Sequence, residues 1–189
     1  MKRLPLIVIA VLLVASALVV ASRPAAADQN DDRLDKLFMR LLEAPVPGEA
    51  QQIEGEIWHI WMQSDDGAIN GLMRDGVAAL SRRDYSHALA KFDQMVVIAP
   101  GFAEGWNKRA TVHYLLGNYG ESLADIAETL ALEPRHFGAL SGRGLVYLRL
   151  EDAQRALDAF EQALAIHPNL PAAAINAEEL RKMLHDREI

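Results

Sequence analysis

Residues 106–119 read WNKRATVHYLLGNY, an apolar-periodic stretch closed by Gly117 and Asn118. It lies in the middle of a pattern that recurs every 34 residues. Pro100, Pro134 and Pro168 mark the period, and counting back from them gives units over 69–102, 103–136 and 137–170, each including a two-residue link. The fourth position holds Leu72, Trp106 and Leu140, and the eighth holds Gly76, Ala110 and Gly144. Ala88, Ser122 and Ala156 stand twelve residues before each proline, and Phe92, Ile126 and Phe160 stand eight before. Small and large residues therefore alternate in a fixed order, as two close-packed helices require, with a large side chain filling the gap left by a small one. Proline lacks an N–H and biases its predecessor away from the α region, so each helix pair stops there. A fixed period of this length predicts an array of helix–turn–helix units, each burying its apolar face against the next.

These positions resemble the tetratricopeptide repeat (TPR), most clearly over 106–119, and the resemblance spans about 100 residues. It implies an all-α, right-handed helical-repeat solenoid of three TPR units. Asp84, Asn118 and Asp152 precede the second helix of their units and are expected to cap it. The seventh position, usually Leu in the family, carries Asp75, Arg109 and Arg143. An Asp75–Arg109 ion pair joining the first two units is the expectation there.

Residues 1–27 read as an export signal: Lys2 and Arg3, then the apolar run Leu6–Ala21, then Ala25-Ala26-Ala27 before Asp28. A periplasmic address follows, the alternative being an uncleaved inner-membrane anchor with the same domain outside. The chain has no cysteine, which excludes a disulfide framework and a thiolate metal site. Its net charge of −7 falls to −10 without Lys2, Arg3 and Arg23, a balance that disfavours nucleic acid and anionic membrane surfaces.

Residues 28–66 lie outside the repeat. Leu34, Leu37, Phe38, Leu41 and Leu42 mark one helical stripe and Ile53, Ile57, Ile60 and Trp61 a second, separated by Pro45, Pro47 and Gly48. The pattern predicts an N-terminal helical hairpin that covers the first repeat. Residues 171–186 predict a C-terminal capping helix, with Ala174, Ile175, Leu180 and Leu184 as its apolar side.

Catalysis finds no support. The six histidines have no metal-ligand spacing, Gly142 and Gly144 lie inside a helix rather than after a strand, and Ser141 lacks the context of a nucleophile. No cofactor and no metal are expected. The TPR resemblance instead implies a concave groove lined by the second, fifth, sixth, ninth and twelfth positions of each unit. On this chain those positions include Asn70, Met73, Arg74, Val77, Glu104, Asn107, Lys108, Thr111, Tyr114, Gly138, Ser141, Gly142 and Leu145. Relatives that clamp a peptide's terminal carboxylate use Lys, Asn and Arg there; Met73, Val77, Gly138 and Gly142 break that clamp here. Residues 103–111 (AEGWNKRAT) and 132–140 (LEPRHFGAL) further resemble exported single-domain bacterial TPR proteins. Arg135 and His136 in the second stretch are expected at the groove edge.

The expected function is a non-catalytic adaptor of the cell envelope, with another protein as partner and the groove residues Met73, Val77, Glu104, Asn107, Lys108, Thr111, Tyr114 and Leu145 as the contact set. The alternative is a self-associating structural protein, a homo-oligomer joined through exposed Trp58 and Trp61.

Overall fold

The computed structural model describes residues 28–44 and 46–186. The expected signal, residues 1–27, lies outside them, as does Pro45. A short 3-10 turn, Asp28–Asn30, leads into nine α-helices among the described residues. These are α1 (Arg33–Glu43), α2 (Pro47–Trp61), α3 (Gly67–Ser81), α4 (Tyr85–Ile98), α5 (Ala103–Leu116), α6 (Tyr119–Leu132), α7 (Phe137–Arg149), α8 (Ala153–Ile166) and α9 (Pro171–Asp186). From α3 onward each helix packs on the next, and α5 also touches α7. This is a helical-repeat solenoid of three pairs, α3–α4, α5–α6 and α7–α8. No described helix is long and apolar enough to cross a membrane.

Within each pair the small-against-large reading holds at atomic contact. A methyl built on Gly76 would fall 2.6 Å from the Phe92 ring, and one on Gly144 would fall 2.7 Å from Phe160. In the middle pair Ala110 and Ile126 share a core cluster, the bulkier small residue matched by the slimmer large one. Ser122, where its counterparts are Ala88 and Ala156, donates its hydroxyl to the Ala110 carbonyl at 2.9 Å and so stays buried without an unmet polar group.

The turn inside each pair places one residue in the left-handed region: Arg83 (φ 60°), Gly117 (φ 80°) and Glu151 (φ 58°), again 34 apart. Only the middle unit uses glycine there. Asp84 and Asp152 cap α4 and α8 by accepting from the His87 and Arg155 backbone N–H groups. Asn118 does not cap α6; its side chain turns towards His113 Nδ1 at 3.5 Å.

Several expectations are corrected. Asp75 pairs with Lys91 at 4.0 Å, while Arg109 bonds both oxygens of Asp125 and reaches Asp93 at 3.0 Å. The Asp75–Arg109 bridge is absent because Asp125, half a unit on, lies closer to the guanidinium. On α9 the buried residues are Ala173, Ala177 and Leu180, set against α8, and Ile175 is 59% exposed. On α1 Leu42 is exposed, the stripe being Leu34, Leu37, Phe38 and Leu41.

The largest correction concerns the hairpin. The α1–α2 hairpin packs across the loops that lead into α7 and α9, and does not lie over the first repeat. Phe137 is part of its core, and Ile166 and Leu170 pack against it. Asp35 meets Arg135 at 2.7 Å, the Ala44 carbonyl accepts from Asn169, and Glu54 meets His167 Nε2 at 3.3 Å. Gln29 donates to the Gly101 carbonyl and ties the 3-10 turn to the start of α5. Phe137 at the start of α7 and the half-buried Ile166 and Leu170 provide the seat, and the hydrophobic effect is indifferent to which repeat supplies it.

Candidate functional site

The groove positions of the first unit belong mostly to the fold. Asn70 bonds the Ser64 backbone twice, accepting from its N–H at 2.9 Å and donating to its carbonyl at 2.6 Å, which fixes the loop between α2 and α3. Met73 is buried in the core of the first pair. Met73, Arg74 and Val77 still edge a cavity of about 690 Å³ between that loop and α3.

In the second unit Glu104, Asn107 and Lys108 form a closed network. Glu104 is 1% exposed. Its carboxylate receives Lys108 Nζ at 2.8 Å, Asn107 Nδ2 at 2.9 Å and His136 Nε2 at 2.9 Å. Burial pushes its pKa up, but the Lys108 ammonium and the His136 ring outweigh that and hold it below the usual carboxylate range. His136 caps α7: the Ala139 N–H donates to Nδ1 at 3.0 Å, so Nδ1 is the acceptor nitrogen and Nε2 carries the proton that goes to Glu104. The tautomer is thus set by the helix start.

The hairpin tryptophans close this network from above. Trp61 is 1% exposed and stacks on His136 with centroids 4.1 Å apart and planes 10° from parallel. Trp58 stands edge-on to the same ring at 5.5 Å and lies 5.2 Å from Lys108 Nζ. A methyl on Gly138 would fall 2.6 Å from Trp58, so the absence of a side chain there is what admits the indole. Trp61 is buried and Trp58 is half-buried against it, so the pair is not the exposed aromatic face expected for self-association. His136 is fully buried and presents nothing at the groove edge. Arg135 is spent on Glu133 and Asp35, with its guanidinium 4.3 Å from the Phe38 ring centroid.

The remaining groove residues come together in the open. Thr111, Tyr114 and Leu145, with Asn107 behind them, line a cleft of about 200 Å³ between α5 and α7. Leu145 is 37% exposed and Thr111 faces solvent. Arg149 donates to the Tyr114 hydroxyl at 3.3 Å beside this cleft. Nothing local in the sequence marks the Glu104–His136 pairing. The one signal is register: His136 occupies the place of Phe102 and Leu170, two residues after each proline, where Phe102 is buried and Leu170 half-buried.

Residues 107–171 match the tetratricopeptide repeat family. A TPR repeat-containing protein of Rhizobium etli is 36% identical over 169 residues, covering 89% of this chain and 81% of that protein. The chain belongs to the tetratricopeptide repeat proteins. Among solved structures, the Sgt2 TPR domain from Aspergillus fumigatus superposes with a TM-score of 0.61 at 22% identity, over 65% of this chain and 83% of that one. The first TPR of Spaghetti (RPAP3), bound to the HSP90 peptide SRMEEVD, gives 0.60 at 20% identity, over 62% and 93%. At these identities the likeness is one of fold.

Proposed function

We propose that this chain is a non-catalytic adaptor of the bacterial cell envelope that holds an extended or helical segment of a partner protein on its concave face. The observation that carries the reading is the open cleft between α5 and α7, where Thr111 and Leu145 face solvent beside the half-buried Tyr114 while their neighbours are consumed by the fold. Apolar walls with a few hydroxyl and amide groups suit a peptide, the apolar part for affinity and the polar part for orientation. The RPAP3 domain's HSP90 peptide is a precedent for such use of the fold. The partner here is read by different chemistry, because Met73, Val77, Gly138 and Gly142 replace the carboxylate-clamping side chains. The envelope address rests on residues 1–27. The chain works as a monomer in this reading, since Trp61 is buried and Trp58 is half-buried against it inside the molecule.

Capture from intact cells tests it, comparing the wild type with a Thr111→Arg, Leu145→Arg double variant of matched circular dichroism. Both residues are on the surface, so the variant alters the groove and spares the buried network. One envelope protein retained by the wild type and lost by the variant is the expected result. The same set of proteins on both baits removes the groove from consideration. Cell fractionation checks the address, and a cytoplasmic chain would refute it; sedimentation across a hundredfold concentration range is expected to give a constant monomer mass.

A further inference from the structure

The helix-interior glycines of the array are of two kinds. Gly76, Gly138 and Gly144 are required by packing, since a methyl on any of them would fall 2.6–2.7 Å from an aromatic ring. Gly142 is not. A methyl there would meet Ile126 Cδ1 at 3.8 Å, an ordinary contact. Glycine inside a helix is unfavourable relative to alanine, so the packing of α7 gives no reason for Gly142.

What the missing methyl leaves is space. Gly142 forms part of the wall of the cleft between α5 and α7, and Ser141 stands beside it. The Ser141 hydroxyl oxygen is buried without a hydrogen-bond partner. Two other hydroxyls of the cleft are spent within the fold, Thr111 on the Asn107 carbonyl and Ser122 on the Ala110 carbonyl. An unmet buried polar group is destabilising until something bonds it. No carboxylate lines the cleft, and Arg149 beside it has no acidic partner among the described residues.

We propose that this cleft is the anchor pocket of the groove, taking one large apolar side chain of a partner segment that also carries a carboxylate towards Arg149. The inference deepens the peptide-binding reading above and depends on it. A volume of about 200 Å³ is below the roughly 300–1,000 Å³ of small-molecule sites. A cleft of that size has room for one apolar side chain such as Leu or Phe. Ser141 then donates its hydroxyl to a backbone carbonyl of the segment, and Arg149 supplies the charge complement.

The test uses the whole chain as bait for a phage-displayed library of random decapeptides, with the selected peptide then titrated by fluorescence anisotropy. Selected sequences are expected to share one large apolar residue with Asp or Glu within two positions of it. Gly142→Ala is expected to weaken that peptide at least tenfold while its melting temperature is unchanged or raised by about 1–4 °C. Ser141→Ala is expected to weaken it severalfold, and Arg149→Gln is expected to weaken it and flatten its salt dependence. If Gly142→Ala binds as the wild type does, or melts lower, the pocket is overturned. The groove survives that result only if the Thr111→Arg, Leu145→Arg variant still loses the peptide. If that variant binds too, or no shared sequence is selected, both readings fall together.

Discussion

Glu104 is the residue on which the interior of the array depends. Its carboxylate accepts from Asn107 and His136 and pairs with the Lys108 ammonium, while Lys108 also lies over Trp58 and His136 also caps α7. Removing one partner of a buried ionic group is far costlier than its net worth, because the others remain desolvated. Glu104→Ala is therefore expected to cost about 3–5 kcal/mol, and Glu104→Gln less, read from urea midpoints at pH 7. The pH dependence has a definite sign. The folded-state pKa of Glu104 lies below its unfolded value of about 4.3. Its contribution is therefore complete above that value and disappears as pH falls through the lower folded one. The stability gap between wild type and Glu104→Gln should accordingly shrink on acidification below about pH 4.3; a gap that widens would contradict the assignment. The sequence register placed Glu104 on the concave side of α5 but could not show it buried, because its partner His136 is 32 residues away.

The helix pairs are where sequence pattern and structure agree most closely, and their tolerances follow from named contacts. Gly76→Ala and Gly144→Ala drive a methyl into Phe92 and Phe160, and overpacking of this kind costs about 1–3 kcal/mol. Gly117→Ala loses its ease at φ 80°, for about 1–2 kcal/mol. All three are measurable by equilibrium denaturation, and any variant matching the wild type would show that the backbone shifts to absorb it. Gly138→Ala should behave differently, since its methyl strikes Trp58 and not a helix partner. Its signature is a change in tryptophan emission, from loosened packing of Trp58 and Trp61, with the helical signal of the array retained. These pairings could be read in advance because Gly with Phe, and Ala with Ile, recur at fixed offsets. The capping failure of Asn118 could not, since its sequence context matches that of Asp84 and Asp152.

At the scale of the whole molecule the hairpin adds long-range contacts to a linear array. A simple solenoid is held by nearest-neighbour contacts alone; here α1 and α2 reach loops about 100 residues away, at Arg135, His136, His167 and Asn169. Deleting residues 28–61 would expose Phe137, Leu170 and the His136 ring, and is expected to lower both the urea midpoint and the slope of the transition, as the repeats come apart less cooperatively. An unchanged slope would mean the repeats fold without reference to the hairpin. The amino-acid sequence determined the repeat, its 34-residue register, the helix pairs and the residues that face one another within each pair, because those contacts are local and periodic. Only the tertiary structure decided where the hairpin sits, which groove residues it buries and which remain open. That choice turns on apolar surface matching between segments far apart in the chain, and burial of such surface is non-directional, so it leaves no periodic trace to read.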